Sequence, residues 1–450
     1  MRSRSDMRSG GEGAALNRCT PDHAPARPGR QRIDGGVRHR TRSIAAFLAL
    51  GTWILVAVLP AWRRLFPDTR DYATFATAVQ VWQRGGDPYD MSALVAAAPP
   101  GTTVYPFFYP PPALPLLAWT GVLPLETGYR LMFWLNELAL GGVLWILWRW
   151  FRPPPWLLVV AACTWTPVGW SGRLGQVNVV VLLLCVAAMW RSRGSLLAAA
   201  AVIKMSPALL AARWVARGRW RPVAGAIVTA MGAHLAVLPW VPLALQRRFY
   251  LEVLPQFASG AYNGLDVPIG LPANHSLANL LDQVWPGPDA HHLSSTAATV
   301  TRVLLVGGLL GLSGLARRRM APMGEALLAG ALLVLMTIAP VFTYEHHFVF
   351  LLPAAVAAAT ASHHRVLPRS ALLLLVPAWA AVVLPIEEFR HLQRTWPEAA
   401  AYIRESKLAG ALILGLLCAW GAARCREEET AGRRSRPPTS AAGPPRRDPR

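Results

Sequence analysis

The chain has 450 residues, of which 53% are apolar and only 15% are charged. Soluble domains carry about 25% charged residues, so this composition argues against a water-soluble globular enzyme. A disordered protein is excluded as well, because so much apolar surface requires burial. Several uncharged apolar runs approach the roughly 20 residues that a helix needs to cross a bilayer. The sequence therefore predicts an all-α, polytopic membrane protein.

The net charge of +21 is located partly at the two ends of the chain. Residues 1–42 hold ten Arg against four acidic residues, and residues 424–450 hold eight Arg against four. Basic residues beside membrane spans follow the positive-inside rule, and attraction to anionic membrane lipid accounts for the basic tails. We therefore expect two disordered cytoplasmic tails and no nucleic-acid partner.

Cysteines and short motifs give no indication of a metal or a cofactor. The five cysteines are scattered without a CxxC spacing, and P-loop, GxGxxG and HExxH motifs are absent. The sequence thus predicts no metal-binding residues, no cofactor and no nucleotide-driven reaction, and it leaves metal dependence open.

Residues 43–423 form the predicted membrane domain, with about 11 to 12 membrane helices in a multi-pass protein of the plasma membrane. Arginine clusters place one set of connections, and both termini, in the cytoplasm. The extracytoplasmic side receives a first loop, 61–127, with juxtamembrane helices, and a large loop, 246–296. The apolar segments fall near residues 44–60, 128–148, 156–172, 176–190, 195–214, 222–245, 297–316, 323–341, 346–362, 369–386 and 407–423.

Segment 195–214 is unusual, because arginines flank both of its ends. A charged residue, Lys204, followed closely by Pro207 breaks a helix. We therefore expect two short helices that form a hairpin with Lys204 near its tip. An ionisable residue at membrane depth indicates a functional site, and Lys204 is suited to neutralising a lipid phosphate. The alternative is a lysine that snorkels to the interface without a ligand.

Four carboxylates gather in the first loop of a chain that has 24 acidic residues. Asp71 follows the first span closely, so its carboxylate should lie near the membrane surface, where it can take a proton from an incoming hydroxyl. Alternatively, Asp71 caps a helix predicted over residues 72–84. The run Gly85-Gly86-Asp87-Pro88 predicts the end of that helix and a turn, so Asp87 is first of all structural.

Glu345, His346 and His347 begin a later span on the extracytoplasmic side. Imidazole and carboxylate groups suit zinc, but adjacent histidines on a helix diverge by about 100°. Hydrogen bonding to a phosphate or a sugar is therefore the more economical role. The alternative is an interfacial polar pair.

Two further polar turns carry amide and imidazole groups. Gln176 and Asn178 open one span, and Asn274 and His275 lie in the large loop. Sugar hydroxyls require such donors and acceptors. The same side chains also suit helix caps, so neither turn is diagnostic alone.

The order of these features resembles that of glycosyltransferase family 87, over about residues 44–423. The resemblance rests on the ordered set rather than on any one motif. The set comprises Asp71-Tyr72-(x)2-Phe75, Gly85-Gly86-Asp87-Pro88-Tyr89, Tyr109-Pro110-Pro111, Gly175-Gln176-Val177-Asn178, Lys204-(x)2-Pro207, Asn274-His275-Ser276-Leu277 and Glu345-His346-His347.

This resemblance implies a GT-C membrane fold and an inverting transfer of a hexose, typically mannose, from a polyprenyl-phosphate-sugar donor to a lipid-linked glycan or other acceptor hydroxyl. It implies Asp71 as the general base, for which Asp68 is the fallback. The residues predicted to bind the donor phosphate or sugar are Lys204, Glu345, His346 and His347. Those predicted to line the acceptor or sugar pocket are Asp68, Tyr72, Asp87, Tyr89, Gln176, Asn178, Asn274 and His275.

Two other function classes explain part of the sequence. A lipid or solute transporter accounts for the many spans and for Lys204, but it predicts polar residues on both sides of the membrane, whereas this chain concentrates them on one. A non-catalytic scaffold that recruits partners through its basic tails leaves the carboxylates of the first loop unexplained. The substitution Asp71→Asn separates these classes, because only an enzyme should lose turnover.

Overall fold

The computed structural model describes residues 70–260, 267–384 and 395–425, together with residues 51, 54 and 55. The secondary structure of these ranges is helical, without a strand, which confirms the all-α prediction. The tail 1–42, Asp68 and nearly all of both the first span and the tail 424–450 lie outside the described residues.

The first part of the described chain ends with α11, and a 3-10 segment, Ser206–Ala211, joins α9 to α10. Its helices are α1 (Arg70–Gln83), α2 (Met91–Ala97), α3 (Ala113–Leu116), α4 (Ala118–Val122), α5 (Leu125–Phe151), α6 (Pro155–Thr164), α7 (Thr166–Leu174), α8 (Asn178–Arg191), α9 (Gly194–Ile203), α10 (Ala212–Ala216) and α11 (Trp220–Ala236).

The second part contains further short segments: a π-helical one, Phe249–Val253, and two 3-10 segments, Glu345–Leu351 and Arg369–Ala371. Its α-helices are α12 (Leu243–Arg248), α13 (Leu254–Ser259), α14 (Leu277–Val284), α15 (Ser295–Ala316), α16 (Pro322–Ile338), α17 (Leu352–His363), α18 (Leu372–Val383) and α19 (Pro397–Arg424).

Three described helices are long and apolar enough to cross a membrane: α5, α15 and the Arg404–Arg424 portion of α19. Other predicted spans correspond to shorter or interrupted helices. The segment predicted near 156–172, for example, divides at Trp165 into α6 and α7, because Pro167 occupies the first turn of α7. The chain is thus an all-α polytopic membrane protein whose spans are frequently broken.

The core of the bundle forms around α16, which is buried along almost its whole length and packs against α17 and α19. Small residues allow this close packing. A Cβ atom on Gly330 would lie 2.9 Å from Cα of Ala354, and one on Gly410 would lie 2.8 Å from the backbone oxygen of Ala378. By contrast, none of the residues of α11 is buried, as expected for a helix that faces lipid.

The predicted break at Lys204 is present. Helix α9 ends at Ile203, Lys204 has an extended backbone (φ −144°, ψ 121°), and Pro207 lies in the 3-10 segment that follows. The structure modifies the prediction for Asp71, which lies within the first turn of α1 rather than at a cap before residue 72. A carboxylate in a first turn is favoured there by the helix dipole.

Buried charges tie α10 to the first turn of α16. Arg213, which is 4% exposed, and Arg217 both bind the Glu325 carboxylate, and Arg217 Nη1 lies 2.9 Å from Glu325 Oε2. Glu325 is near the start of α16, whereas Met336 and Thr337, near its end, line the cavity described below. The charge cluster and the cavity therefore occupy opposite ends of this helix.

Candidate functional site

A cavity of about 920 Å³ lies where α1, α7, the break after α9 and the Glu345–Leu351 segment meet. It brings together polar residues that the sequence predicted as site residues from separate parts of the chain. Those that line it are Asp71, Gln176, Lys204, His275, Glu345, His346 and His347. Apolar side chains of α13 and α15 complete its wall.

A sharp turn between α7 and α8 positions the polar groups on one side of the cavity. Gly175 ends α7 with a positive φ of 68°, which favours glycine, and a Cβ atom there would lie 2.6 Å from Cβ of Tyr72. The turn also brings Gln176 beneath α5, where Asn136 Nδ2 donates to its backbone oxygen over 2.7 Å. The local sequence thus places Gln176 in the turn before α8 and Asn178 at the first position of that helix.

A chain of hydrogen bonds orients Asp71. The Tyr109 hydroxyl donates to Gln176 Oε1 over 2.8 Å, and Gln176 Nε2 donates to Asp71 Oδ2 over 2.7 Å. The backbone of Tyr109 is itself held by the Tyr89 hydroxyl, which donates to its carbonyl oxygen over 3.0 Å. Because the Gln176 side-chain oxygen accepts the hydrogen bond from Tyr109, the N–H group of the amide faces the Asp71 carboxylate.

Asn178 contacts the cation Lys204, as Gln176 contacts the carboxylate of Asp71. Lys204 Nζ donates to Asn178 Oδ1 over 2.9 Å, and Asn178 Nδ2 donates to the backbone oxygen of His346 over 3.2 Å. Asn178 is fully buried, so its amide oxygen and its amide nitrogen are bonded to protein groups rather than to water. The side chain therefore links the Lys204 break to the segment that carries the two histidines.

His346 and His347 lie side by side in the 3-10 segment, with ring centroids 4.3 Å apart. The backbone N–H of Tyr344 donates to His347 Nδ1 over 3.0 Å. Since Nδ1 is an acceptor, a neutral His347 carries its proton on Nε2, which is then a donor. Within the described ranges, no group of three His, Cys, Asp or Glu side chains is arranged to hold a metal ion.

Glu345 forms a buried ion pair. Its Oε1 lies 3.0 Å from Nζ of Lys407, and the two side chains are 3% and 1% exposed. Lys407 Nζ also donates to the backbone oxygen of Val382 over 3.0 Å. The pair attaches α19 to the start of the histidine segment, so Glu345 has a structural partner beside its place in the cavity wall.

The polar turn of the large loop runs alongside residues 341–343. Asn274 Nδ2 donates to the Val341 oxygen and its Oδ1 accepts from the Thr343 N–H, both over 3.0 Å. The backbone N–H of His275 donates to the Thr343 oxygen over 2.7 Å, and the Ser276 hydroxyl donates to the Val341 oxygen over 2.6 Å. Asn274 is fully buried and holds this loop in place.

His275 has a different environment from its neighbours. It is 2% exposed, and its ring nitrogens make no hydrogen bond of ordinary geometry among the described residues, although the Arg404 backbone lies close enough to raise its pKa slightly. Burial, with smaller contributions from the Lys407 and Arg404 cations, lowers its pKa to about 3. His275 therefore presents a neutral imidazole, one donor and one acceptor, at the cavity wall.

Five described residues predicted for the sugar or acceptor pocket do not line the cavity. Two of them are Asn178 and Asn274, whose amides contact Lys204 and the Val341 oxygen. Tyr72 is buried against Trp119 and Tyr129. Asp87 forms an ion pair with Arg248. The Tyr89 hydroxyl donates to the backbone oxygen of Tyr109, and Tyr89 itself lies outside the cavity lining. Asp68 lies outside the described residues.

The structure also adds residues that the sequence analysis did not select for the site. Tyr109 was part of a motif, but its contact with Gln176 depends on how the loop folds. Lys407 is one of only two lysines in the chain, and Arg302 interrupts an apolar helix. Lys407 and Arg302 were visible in the sequence as charged residues within apolar segments, which is a recognised signal of function.

Comparison with known families identifies a match. The family model for glycosyltransferase family 87 matches residues 107–343, just over half of the chain and less than the 44–423 expected from the motif order. Lys204 lies within the match, whereas Asp71 precedes it and Glu345 follows it. No curated protein and no solved structure matches the chain. The helical membrane architecture and the family match together show that the chain belongs to glycosyltransferase family 87 and is a membrane glycosyltransferase.

Proposed function

We propose that this glycosyltransferase transfers a hexose, mannose by its family resemblance, from a polyprenyl-phosphate-sugar donor to a hydroxyl group of a lipid-linked glycan or another acceptor. The reaction takes place on the extracytoplasmic side of the plasma membrane and inverts the anomeric configuration. A β-linked donor then gives an α-linked product. Asp71 is the general base.

The transfer is a single displacement. The acceptor oxygen attacks the anomeric carbon, and its proton passes to the Asp71 carboxylate. The bond between the anomeric carbon and the phosphate oxygen breaks, and its electron pair stays on that oxygen. The departing phosphate thus gains a negative charge, which preorganised cations and hydrogen-bond donors stabilise. Because the donor carries its own leaving group, no nucleotide is needed.

The start of α8 carries this proposal. Gln176 holds the carboxylate of Asp71, and two residues later Asn178 holds the ammonium of Lys204. Both charged groups line the same cavity, as a base and a phosphate ligand for one substrate require. An ammonium has three N–H donors, so Lys204 retains donors for phosphate oxygens while it is bound to Asn178.

Further polar groups complete the proposed site. His347, with its proton on Nε2, and the adjacent His346 donate to the phosphate or to the sugar. His275 binds a sugar or acceptor hydroxyl, because its buried imidazole lines the cavity and makes no hydrogen bond of ordinary geometry among the described residues. Such a hydroxyl would replace the hydrogen bonds that burial denies to this ring.

Sugar transfer by the purified, full-length protein in membranes tests the proposal. The protein receives radiolabelled polyprenyl-phosphate-mannose and a lipid extract of its host, and labelled glycolipid is measured. Loss of a general base costs about 10²- to 10⁴-fold in rate, so we expect Asp71→Asn to reduce transfer at least a hundredfold. Asp90→Asn is the matched control, because Asp90 caps α2 through Ser92 (3.0 Å) and Asn is an equally good cap.

Each alternative gives a different result. Unchanged transfer in Asp71→Asn removes Asp71 as the base and makes Asp68 the next residue to test. Absence of transfer from every polyprenyl-linked sugar, combined with movement of lipid across the bilayer, contradicts the enzyme and supports a transporter.

A further inference from the structure

Arg302 is a cation that the proposed reaction has not yet used. It lies in α15, one of the helices long and apolar enough to cross a membrane, and it is exposed and lines the cavity. Among the described residues no ion pair or hydrogen bond holds its side chain. An unpaired arginine in an apolar helix is costly, and such residues mark substrate pathways. Its position therefore points to an anionic ligand.

The geometry of α15 places Arg302 at a border. Ala298, Thr301 and Leu305 line the cavity, whereas Val306 and Leu310 are 55% and 66% exposed. At about 100° per residue, Arg302 is rotated roughly 40° from Ala298, Val306 roughly 80° and Leu310 roughly 120°. Arg302 thus separates the stripe that faces the cavity from the stripe that faces lipid.

Apolar side chains line much of the cavity wall. Those of Leu254, Phe257 and Ala258 in α13 belong to it, together with Leu293 just before α15. Only 6% of the apolar window of α15 is buried in the bundle. An apolar chain can lie against this helix while a polar headgroup enters the cavity, and the guanidinium stands at the boundary between the two.

We propose that Arg302 binds the phosphate of a lipid phosphate whose hydrocarbon chain lies along the exposed stripe of α15, so that the headgroup enters the cavity sideways from the bilayer. The inference rests on the proposed function, in which the donor is a polyprenyl-phosphate sugar. A guanidinium binds phosphate oxygens through two parallel N–H donors. Lys204, which is bound to Asn178 and lines the same cavity, is then the phosphate ligand at the transfer step.

Binding of the reaction product without turnover tests this inference. Full-length protein in phosphatidylcholine nanodiscs receives increasing mole fractions of a polyprenyl monophosphate or of the uncharged polyprenol with the same chain, and native mass spectrometry gives the bound fraction. The variants are Arg302→Gln, Arg302→Lys and, as a control on the same helix, Arg317→Gln. Arg317 is exposed at the other end of α15. The substitution Arg317→Gln therefore removes the same charge at a position away from the cavity.

We expect Arg302→Gln to bind the monophosphate about tenfold to a hundredfold more weakly than the wild type, because a charge-assisted hydrogen bond is lost. Binding of the polyprenol should not change. Arg302→Lys should lie between the two proteins, and Arg317→Gln should match the wild type. Phosphatidylglycerol, added as an anionic lipid without a prenyl chain, should not displace the monophosphate.

Two results overturn the inference and leave the proposed function in place. One is equal binding of the monophosphate by Arg302→Gln and the wild type. The other is displacement by phosphatidylglycerol at equal mole fraction, which makes Arg302 a general anionic-lipid site. If the wild type binds no polyprenyl monophosphate at all, both this inference and the proposed donor class are wrong.

Discussion

Replacement of Gln176 by Glu tests the role of Asp71 with a change of a single chemical group. In the wild type, Gln176 Nε2 donates to Asp71 Oδ2 over 2.7 Å, and Gln176 Oε1 accepts from the Tyr109 hydroxyl over 2.8 Å. Glutamate keeps the acceptor for Tyr109 but places a second carboxylate oxygen against Asp71. Two carboxylates in contact share a proton, because both cannot be charged at that distance.

The size of the effect follows from the distance. Two unit charges 4 Å apart repel by about 1 kcal/mol in bulk water and about 4 kcal/mol at an effective dielectric constant of 20. One pH unit corresponds to about 1.4 kcal/mol. Because a base must be deprotonated to act, the acid limb of the kcat/KM profile should move upward by about one to three pH units.

The assay is sugar transfer as a function of pH, with Gln80→Glu as the matched control. Gln80 lies on α1, nine positions after Asp71, and about 100° per residue places it on the opposite face of that helix. Its amide donates to the Gly121 oxygen over 3.3 Å, away from the cavity lining. This variant carries the same added charge, so its acid limb should stay where it is in the wild type.

The pH dependence distinguishes an effect on the base from damage to the fold. A structural defect lowers transfer at every pH, whereas protonation of the carboxylate pair is reversed by raising the pH. An acid limb at the wild-type position in Gln176→Glu would refute this reasoning. In that case either the shared proton stays on the introduced glutamate, or a residue out of contact with position 176, such as Asp68, is the base, and Asp71→Asn separates the two.

Three further substitutions test the surroundings of the site. Lys407→Met should lower the free energy of unfolding in detergent by about 3–5 kcal/mol, because it removes the cation from a buried ion pair with Glu345. Adding Glu345→Gln should recover part of that loss, and a double variant no more stable than Lys407→Met would contradict the reasoning. Glu325→Gln should destabilise the protein through the unpaired Arg213 by several kcal/mol, while transfer per folded molecule, measured on the detergent-soluble monodisperse fraction, stays near the wild-type rate. His275→Gln should change the relative rates with different sugar donors. It should not move either limb of the pH profile between about pH 5 and pH 8, because a pKa near 3 keeps the wild-type imidazole neutral in that range. A limb that disappears in this variant would show that His275 titrates there.

Local sequence patterns predicted those features that depend on neighbouring residues. Apolar runs predicted the helices, and the charged Lys204 followed by Pro207 predicted the break between α9 and α10. The cavity also collects Asp71, Gln176 and Lys204, which the sequence analysis selected as site residues on separate grounds. The order of short motifs was sufficient to indicate the family, although the family model matches a shorter range.

Contacts between distant segments could not be predicted in this way. Asp71 and Tyr72 are neighbours in sequence, but about 100° of helical rotation sends them to different faces. Asp71 faces the cavity together with Thr74 and Phe75, three and four positions later, while Tyr72 turns toward α5, where its hydroxyl fills the space left by Gly128. The pairing of Glu345 with Lys407 likewise depends on how α19 packs, which no local pattern records.

The turn before α8 explains why the proposed base and the proposed phosphate ligand depend on so few residues. A displacement at the anomeric carbon needs a base on one side of the sugar and a cation at the leaving group on the other. Gln176 and Asn178 are only two positions apart, yet one amide donates to Asp71 and the other accepts from Lys204. Gly175 fixes the direction of both, because a side chain there would displace Tyr72. One turn thus contacts both charged groups. The walls formed by α13 and α15 belong to other segments, so their shape can differ for different lipids while these contacts are kept.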